Sequence, residues 1–243
     1  MEEPEKYAFQ TGALLLIDKP KEWTSFDVVN KLRYTLRKAL GIKKIKMGHA
    51  GTLDPLATGL LVVCTGKFTK KIESLQGMSK EYTGSFHLGA TTPSYDAETA
   101  IDEQFPIEHI SPELLDEARQ KLLGDLDQIP PIFSAIKVDG QPLYKKARKG
   151  EKIKIKARKV TIHDFRLEKI EMPIVNFWVY CSKGTYIRSL AHDFGKALKS
   201  GAYLADLRRT KVGQYKIEDA WNLEKLIQYI RANYSSRDKL SKN

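Results

Sequence analysis

The chain has 243 residues, of which 42% are hydrophobic, and it carries a formal net charge of +11 at pH 7. This length allows a substantial buried core, in one large domain or in one domain with an appendage. No stretch approaches the roughly eighteen consecutive apolar residues of a membrane span, and residues 1–6 lack the basic and apolar regions of a signal peptide. We therefore expect a cytoplasmic protein.

The N-terminal part of the chain predicts a strand followed by an amphipathic helix. The strand is predicted over residues 12–17. The helix is predicted over residues 26–40, because Thr24 or Ser25 can cap it and because apolar residues recur on one face. The residues expected on that inner face are Val28, Val29, Leu32 and Leu36.

Residues 48–59, with the sequence GHAGTLDPLATG, form the most informative segment of the chain. Three glycines permit positive φ angles or close approach to the backbone, and Pro55 fixes φ directly after Asp54. The apolar residues 60–64 that follow predict a buried strand, so we expect Asp54 near a strand end, with its side chain facing a cleft. The alternative is an Asp-Pro turn that only connects two elements. The neighbouring histidine and glycines favour a functional loop.

The middle of the chain predicts a short helix, a strand and a second long helix. The short helix is predicted over residues 68–75 and the strand over residues 82–89. Ser111 and Pro112 are typical of a helix start, and this helix is expected to run to Gly124. Two consecutive prolines, at positions 130 and 131, then argue for a loop or arm that departs from the sheet.

A strongly basic segment follows, with nine basic residues and a single acid, Glu151, between Leu143 and Lys159. A second basic cluster, residues 43–46, precedes the glycine-rich loop. Cations beside a candidate reactive loop indicate binding to a phosphate backbone. Two alternatives are a solvated charged face and, at residues 152–156, an edge strand protected from aggregation by its lysines. We favour an arm that faces RNA.

The C-terminal part of the chain predicts further strands and helices. The predicted strands cover residues 160–170, 174–182 and 205–217, and the predicted helices cover residues 186–198 and 220–232. Residues 233–243 are polar and expected to be disordered. The two cysteines, Cys64 and Cys181, lack metal-ligand spacing and are expected to be reduced core thiols. No metal is expected, because the histidines lack such spacing as well.

The segment GHAGTLDPLATGLL resembles the signature of the bacterial tRNA pseudouridine synthase B (TruB) family, whose members isomerise uridine 55 in the T-loop of tRNAs. Four further segments match the family in order and rough spacing: residues 16–20 (LIDKP), 80–82 (KEY), 181–188 (CSKGTYIR) and 207–209 (LRR). The resemblance extends from about residue 12 to about residue 220.

The resemblance implies a role for each of several residues. Asp54 is implied to be the essential catalytic carboxylate, and Arg188 to pair with it and keep it ionised. Tyr82 is implied to stack on the flipped uracil and to assist deprotonation at C5. The alternatives are an ordinary core aromatic for Tyr82 and a charge on a helix surface for Arg188. The residues implied to contact the substrate RNA are His49, Tyr82, Tyr186, Leu207 and Lys19.

The resemblance also implies the fold and the partners. We expect an α/β (α+β) pseudouridine synthase fold, with a mixed, largely antiparallel central sheet, flanking helices and a thumb-like basic insertion at residues 128–158. One catalytic domain is expected over residues 1–232, without the C-terminal PUA domain that longer family members carry. The expected substrate is the T-arm stem-loop of tRNA, which a monomer would modify without a cofactor, a metal or a guide RNA.

Other chemistries fit the sequence less well. No P-loop and no G-x-G-x-x-G fingerprint occurs, which argues against a nucleotide triphosphate enzyme. A glycosidase needs two carboxylates that flank one bond, and the motifs suggest no second acid. A noncatalytic RNA-binding protein or tRNA chaperone would explain the charge but would leave the rigid Asp54 loop without a role.

Overall fold

The structure, a computed structural model, describes residues 7–134, 137–138, 141–142 and 155–234. The chain divides into two compact units. The first unit contains the residues up to Met78 and those from Arg208 onward, and the second contains residues 79–207. Residues 143–154 of the predicted basic arm lie outside the described residues.

Helices are interspersed among groups of strands along the described residues. The α-helices are α1 (Ser25–Leu40), α2 (Ile72–Gln76), α3 (Pro112–Lys121), α4 (Ile187–Ala197) and α5 (Leu223–Tyr234). The strands are β1 (Leu14–Lys19), β2 (Met47–His49), β3 (Thr58–Thr65), β4 (Lys80–Leu88), β5 (Ala90–Thr91), β6 (Glu103–Gln104), β7 (Gly124–Gln128), β8 (Lys137–Val138), β9 (Gln141–Pro142), β10 (Arg158–Glu171), β11 (Ile174–Cys181), β12 (Ala202–Val212), β13 (Tyr215–Lys216) and β14 (Trp221–Asn222). Short 3-10 helices occupy Gly66–Lys71 and Ile217–Asp219.

The first unit contains a mixed sheet in the order β14-β1-β3-β12. The pairs β1–β14 and β3–β12 are parallel, whereas β1–β3 is antiparallel. Strand β2 also pairs with β3, and β13 pairs with the end of β12. This arrangement places strand β3, which follows the glycine-rich loop, in the interior of the sheet.

Helices α1 and α5 supply the main core of the first unit. Thr24 caps α1 and forms a capping box with Asp27. This confirms the helix start that was predicted from the sequence. The residues expected on its inner face, Val28, Val29, Leu32 and Leu36, are all buried. They pack with apolar residues of α5, β1 and β3. The side of α1 that faces the sheet is therefore fixed by its sequence pattern.

The second unit contains an antiparallel sheet in the order β4-β11-β10-β7. Its core holds a cluster of buried aromatic rings contributed by β4, β10, β11 and α4. These rings belong to Phe86, Phe165, Phe177 and Phe194. Helices accompany the strands of each unit, so the mixed, largely antiparallel α/β architecture is confirmed.

Several predicted boundaries differ from the structure. The helix expected to reach Gly124 ends at Lys121, and Gly124, with a φ angle of +80°, begins strand β7. The single strand expected over residues 205–217 is wrong, because the chain reverses after Val212 and returns as β13. Gly213 makes this turn with a φ angle of +54°. Its Cα also lies so close to Met78 that an added Cβ would be 2.5 Å from the Met78 sulfur.

The remaining sequence expectations about the chain as a whole have mixed outcomes. Both cysteines are free and buried, as predicted. Helix α5 runs to Tyr234, two residues beyond the predicted end, and residues 235–243 lie outside the described part of the chain. In the described residues, no helix is both long enough and apolar enough to cross a bilayer.

Candidate active site

The glycine-rich loop is the connection of a β-hairpin in the first unit. Strands β2 and β3 pair antiparallel, with His49 opposite Val63. Between them, the amide of Ala57 donates to the carbonyl of Asp54 at 3.1 Å. This bond closes a β-turn that has aspartate at its first position and Pro55 at its second, both of which are preferred there. The predicted loop before a buried strand is confirmed, and its rigid part contains Asp54.

Two side chains hold the main chain on either side of Asp54. The Ser25 hydroxyl accepts from the amide of Leu53 at 2.8 Å and donates to the carbonyl of Leu53 at 3.1 Å. The Lys19 ammonium donates to the carbonyl of Pro55 at 3.3 Å. Ser25 and Lys19 are both fully or almost fully buried. The position of the Asp54 backbone is therefore fixed from both neighbours, while the Asp54 residue itself remains partly exposed.

Lys19 is a buried charge beside Asp54. Its ammonium group also donates to the carbonyls of Pro20 and Trp23. Burial lowers the pKa of Lys19 to about 8, although the charge of Asp54 acts in the opposite direction. The two groups thus interact electrostatically in the first unit. Lys19 therefore lies beside the loop that contains Asp54, while its contact with RNA stays a prediction.

Arg209, the second arginine of the LRR segment at residues 207–209, is buried and contacts the main chain of the loop. Its guanidinium donates to the carbonyls of Gly51 at 3.1 Å, Thr52 at 3.4 Å and Leu60 at 2.8 Å. Gly59 has a φ angle of +103°, and an added Cβ would lie 2.3 Å from the Arg209 carbonyl oxygen. Glycine is required at position 59 for both reasons.

Arg208 of β12 reaches past the neighbouring strand β3 to contact β1. Its guanidinium forms two hydrogen bonds with the Asp18 carboxylate, at 3.0 and 2.8 Å. It also lies 3.4 Å from the Thr58 hydroxyl, to which it donates. A two-point arginine–carboxylate contact is among the stronger and more directional polar contacts. It joins β1, which ends at Lys19, to the first residue of β3.

His49 lies at the end of β2 and is partly buried. Burial lowers its pKa, and the positive charge of Arg209 lowers it further, against a backbone hydrogen bond with Gly51. His49 is therefore a neutral imidazole at pH 7. Its Nδ1 atom is buried and has no hydrogen-bond partner among the described residues. The role of His49 as an RNA contact stays a prediction.

Tyr82 lies on strand β4 of the second unit. It stands opposite Val179 of β11, and its exposed fraction is 8%. This burial is compatible with a stacking platform and with the core aromatic that the sequence left as an alternative. The role of Tyr82 stays a prediction.

Arg188 lies in the first turn of α4, and it is almost fully buried. Its Nε atom is 3.6 Å from a carboxylate oxygen of Asp96, and its Nη1 donates to the carbonyl of Ser94 at 3.3 Å. Asp96 is itself buried and accepts from the Ser94 hydroxyl and the amide of Glu98. A buried arginine with a carboxylate partner is not the surface charge of the alternative interpretation. Its expected pairing with Asp54 stays a prediction.

Tyr186 precedes α4 and is held by a buried amide. The Gln128 side chain accepts from the amide of Tyr186 at 2.8 Å and donates to its carbonyl at 3.0 Å. The guanidinium of Arg158 lies over the Tyr186 ring, 5.1 Å from its centroid. The ring position is thus set by its main chain and by a cation on one face.

The predicted site residues are divided between the two units. Lys19, His49 and Asp54 belong to the first unit, and the structure brings Lys19 and Asp54 together there. Tyr82, Tyr186, Arg188 and Leu207 belong to the second unit, and Leu207 is a largely buried residue of β12. The convergence of Asp54, Tyr82 and Arg188 in one cleft stays a prediction.

The sequence did not reveal several residues that hold the predicted site residues in place through hydrogen bonds or ion pairs. Ser25 was considered only as a helix cap, and Asp96 and Gln128 were not considered. Asp96 follows a Thr-Thr-Pro-Ser-Tyr run that is typical of a turn, and such a run gives no indication of an ion pair. Arg208 and Arg209 were recognised as a motif without a role. In the described residues, no group of three or more histidine, cysteine or acidic side chains could hold a metal ion.

Two family models match adjacent parts of the chain. The model described as "TruB family pseudouridylate synthase (N terminal domain)" matches residues 37–187. The model described as "tRNA pseudouridylate synthase B C-terminal domain" matches residues 188–242. Together they include every predicted site residue except Lys19.

The chain is also similar to curated proteins and to a solved structure. A protein of Flavobacterium johnsoniae named tRNA pseudouridine synthase B is 61% identical over 89% of this chain and 94% of its own length. A protein of Phocaeicola vulgatus with the same name is 52% identical over 91% of this chain and 94% of its own length. The crystal structure of a Cbf5-Nop10-Gar1 complex contains a chain with a TM-score of 0.68 and 30% identity. The similarity covers 91% of this chain and 55% of that one.

Proposed function

Because the chain belongs to the TruB family of pseudouridylate synthases, we propose that it is a tRNA pseudouridine synthase that converts uridine 55 of the T-loop to pseudouridine. The proposal rests on the observation that the main chain on both sides of Asp54 is fixed by buried side chains. Ser25 and Lys19 bind the main chain of the residues on each side of it, and Asp54 remains partly exposed. A fixed and accessible carboxylate is the group that the reaction requires.

The reaction defines what the site must do. The bond between the ribose and N1 of uracil breaks, the base rotates, and a new bond forms through C5, with loss of a proton from C5 and gain of a proton at N1. The change is an isomerisation without net redox chemistry, so we propose that this chain performs it without a cofactor. The base must first be flipped out of the RNA fold into a pocket that excludes water.

We assign Asp54 the role of the catalytic carboxylate, acting on the target nucleotide in its ionised form. The nearby positive charge of Lys19 favours that form. Arg188 is assigned as the guanidinium that pairs with Asp54 during the reaction, and Tyr82 as the ring that stacks on the flipped uracil. The burial of both supports a dry pocket, because neither presents its charge or ring to bulk solvent.

The remaining predicted residues are assigned to the RNA. Tyr186 and Leu207 would contact the target nucleotide, and His49 would contact the loop around it as a neutral imidazole. The proposed substrate is the T-arm stem-loop of tRNA, bound by a monomer without a guide RNA. The net charge of +11 supports binding to a polyanion of this kind.

The test measures pseudouridine in an unmodified T-arm stem-loop that is incubated with the protein and no added cofactor. Wild-type protein is expected to convert the T-loop uridine, and Asp54→Asn is expected to lose this activity while retaining RNA binding. Asn keeps the shape of the side chain but cannot carry the charge. The matched control is Asp127→Asn, which removes a carboxylate that is 64% exposed and paired only at the surface with Lys159.

Two results would contradict the proposal in different ways. Equal conversion by wild type and Asp54→Asn would remove Asp54 from the mechanism. Binding of the stem-loop by both proteins without conversion by either would instead favour a noncatalytic RNA-binding protein or tRNA chaperone.

A further inference from the structure

The solvent-facing side of α1 exposes two aromatic rings. Phe26 and Tyr34 are 63% and 61% exposed, the highest values among the exposed large hydrophobic side chains of the described residues. They are eight positions apart on one helix, so about 12 Å separates them along the axis, and both lie away from the buried face. Packing in the core of the first unit therefore does not explain why aromatic residues occupy positions 26 and 34.

Basic side chains surround these rings. Arg33 and Arg37 lie between or beside them on the same face, and Lys31 and Lys38 flank that face. The acidic residue of the helix, Asp27, uses a carboxylate oxygen to accept from the amide and hydroxyl of Thr24 at the helix start. The exposed face of α1 is thus positively charged along most of its length.

This face begins next to the catalytic loop. Phe26 follows Ser25, whose hydroxyl binds both main-chain groups of Leu53, the residue before Asp54. Arg33 donates to the carbonyl of Met47 in β2, the strand that enters the same loop. The surface is therefore connected to the hairpin that carries Asp54 at its start, through Ser25, and near its middle, through Arg33.

We propose that this surface, defined as the outer face of α1 with Phe26, Arg33, Tyr34 and Arg37, binds the substrate RNA and stacks its two rings on unpaired bases. The inference rests on the proposed function, since it extends the binding site of the same substrate. Exposed aromatic rings among cations are the features by which proteins bind single-stranded nucleotides. A protein partner fits less well, because the cations interrupt the apolar area and because the centre of a protein interface is depleted in charge.

The experiment compares the binding of fluorescently labelled full-length tRNA transcript and T-arm stem-loop by single variants. Phe26→Ala and Tyr34→Ala are each expected to weaken binding of the full transcript roughly tenfold, the loss that corresponds to one stacked base. Phe26→Trp is expected to bind as wild type, since it preserves a stacking ring. Arg37→Gln is expected to reduce the slope of log affinity against log salt by about one, because it removes one phosphate contact.

The matched control is Ile170→Ala, which truncates a 45% exposed side chain on β10 in the second unit. Circular dichroism melting of each variant verifies that the fold is intact. If Phe26→Ala and Tyr34→Ala bind both RNAs as tightly as Ile170→Ala, the inference is wrong. A change in oligomeric state with unchanged RNA affinity would likewise overturn it in favour of a protein interface. Binding of tRNA by the wild-type protein without isomerisation would contradict the proposed function. In that case, the ratios of variant to wild-type affinity for RNA would still test the present inference.

Discussion

Lys19 is a buried ammonium group enclosed by three main-chain carbonyls beside Asp54. Its pKa of about 8 results mainly from burial, which disfavours the charged form. The group is therefore mostly charged at pH 7 and loses its proton at a lower pH in the folded state than in the unfolded state. Between about pH 8 and the ordinary lysine pKa of 10.5, the unfolded chain binds more protons at this position.

We predict that Lys19→Met lowers the free energy of unfolding and that the deficit grows as the pH rises. Wild type gains stability from Lys19 between about pH 8 and 10.5 because the cost of a buried charge is relieved there. The variant has no group to titrate at this position and lacks the donors to the Pro55 carbonyl. Urea unfolding of both proteins at pH 7.5, 8.5 and 9.5 measures the difference. A deficit that is constant across this pH range would show that burial does not lower the lysine pKa.

Gln128 is a second residue whose contribution to stability comes from hydrogen bonds with one other residue, Tyr186. Its amide satisfies both the main-chain amide and the main-chain carbonyl of Tyr186. We predict that Gln128→Leu costs about 1–3 kcal/mol of unfolding free energy, because two partly buried main-chain groups of Tyr186 lose their partner. Turnover should fall as well, if Tyr186 contacts the target nucleotide. Gln120→Leu, on the exposed face of α3, is the control, and a Gln128→Leu variant as stable as that control would contradict the prediction.

At the scale of elements, the β2–β3 hairpin depends on its contact with β12. We predict that Gly59→Ala destabilises the protein by at least about 2 kcal/mol, because a Cβ would overlap the Arg209 main chain and the φ angle is unfavourable for alanine. Gly124→Ala separates the two causes, since Gly124 also has a positive φ angle but nothing within 4 Å of its Cβ position. Thermal or urea unfolding measures both. Equal losses for the two variants would show that strain, and not the close approach, determines the cost.

The elements also show which predictions the sequence could support. Helix α1 was predictable because its cap, its apolar period and its final glycine are local signals. Strand β7 was not, because its sequence GDLDQ has little strand preference and pairs only through β10. The loop around Asp54 was predictable from twelve residues. The Asp96–Arg188 contact was not, because it joins residues 92 positions apart and leaves no local pattern.

At the scale of the whole molecule, the pseudouridine synthase fold that the motifs implied is confirmed by the family models and the solved structure. The excess of 41 lysine and arginine residues over 30 acidic ones is a property of the entire chain. We predict that the affinity for tRNA falls about a hundredfold between 50 and 200 mM salt, as expected when about four or five phosphates are neutralised. Fluorescence anisotropy at several salt concentrations measures the slope. A flat salt dependence would contradict a binding surface based on phosphate contacts.

The contacts that fix the main chain around Asp54 limit how the signature motif could be transferred to another protein. The two side chains that fix it, Lys19 and Ser25, belong to the last residue of β1 and the first residue of α1, about thirty positions before the loop in the chain. A search by sequence treats the motif as a self-contained module. A designer who transplants only its twelve residues into another hairpin would copy the aspartate and leave its supports behind. The unit that would have to be transferred is the hairpin together with the segment from Lys19 to Ser25.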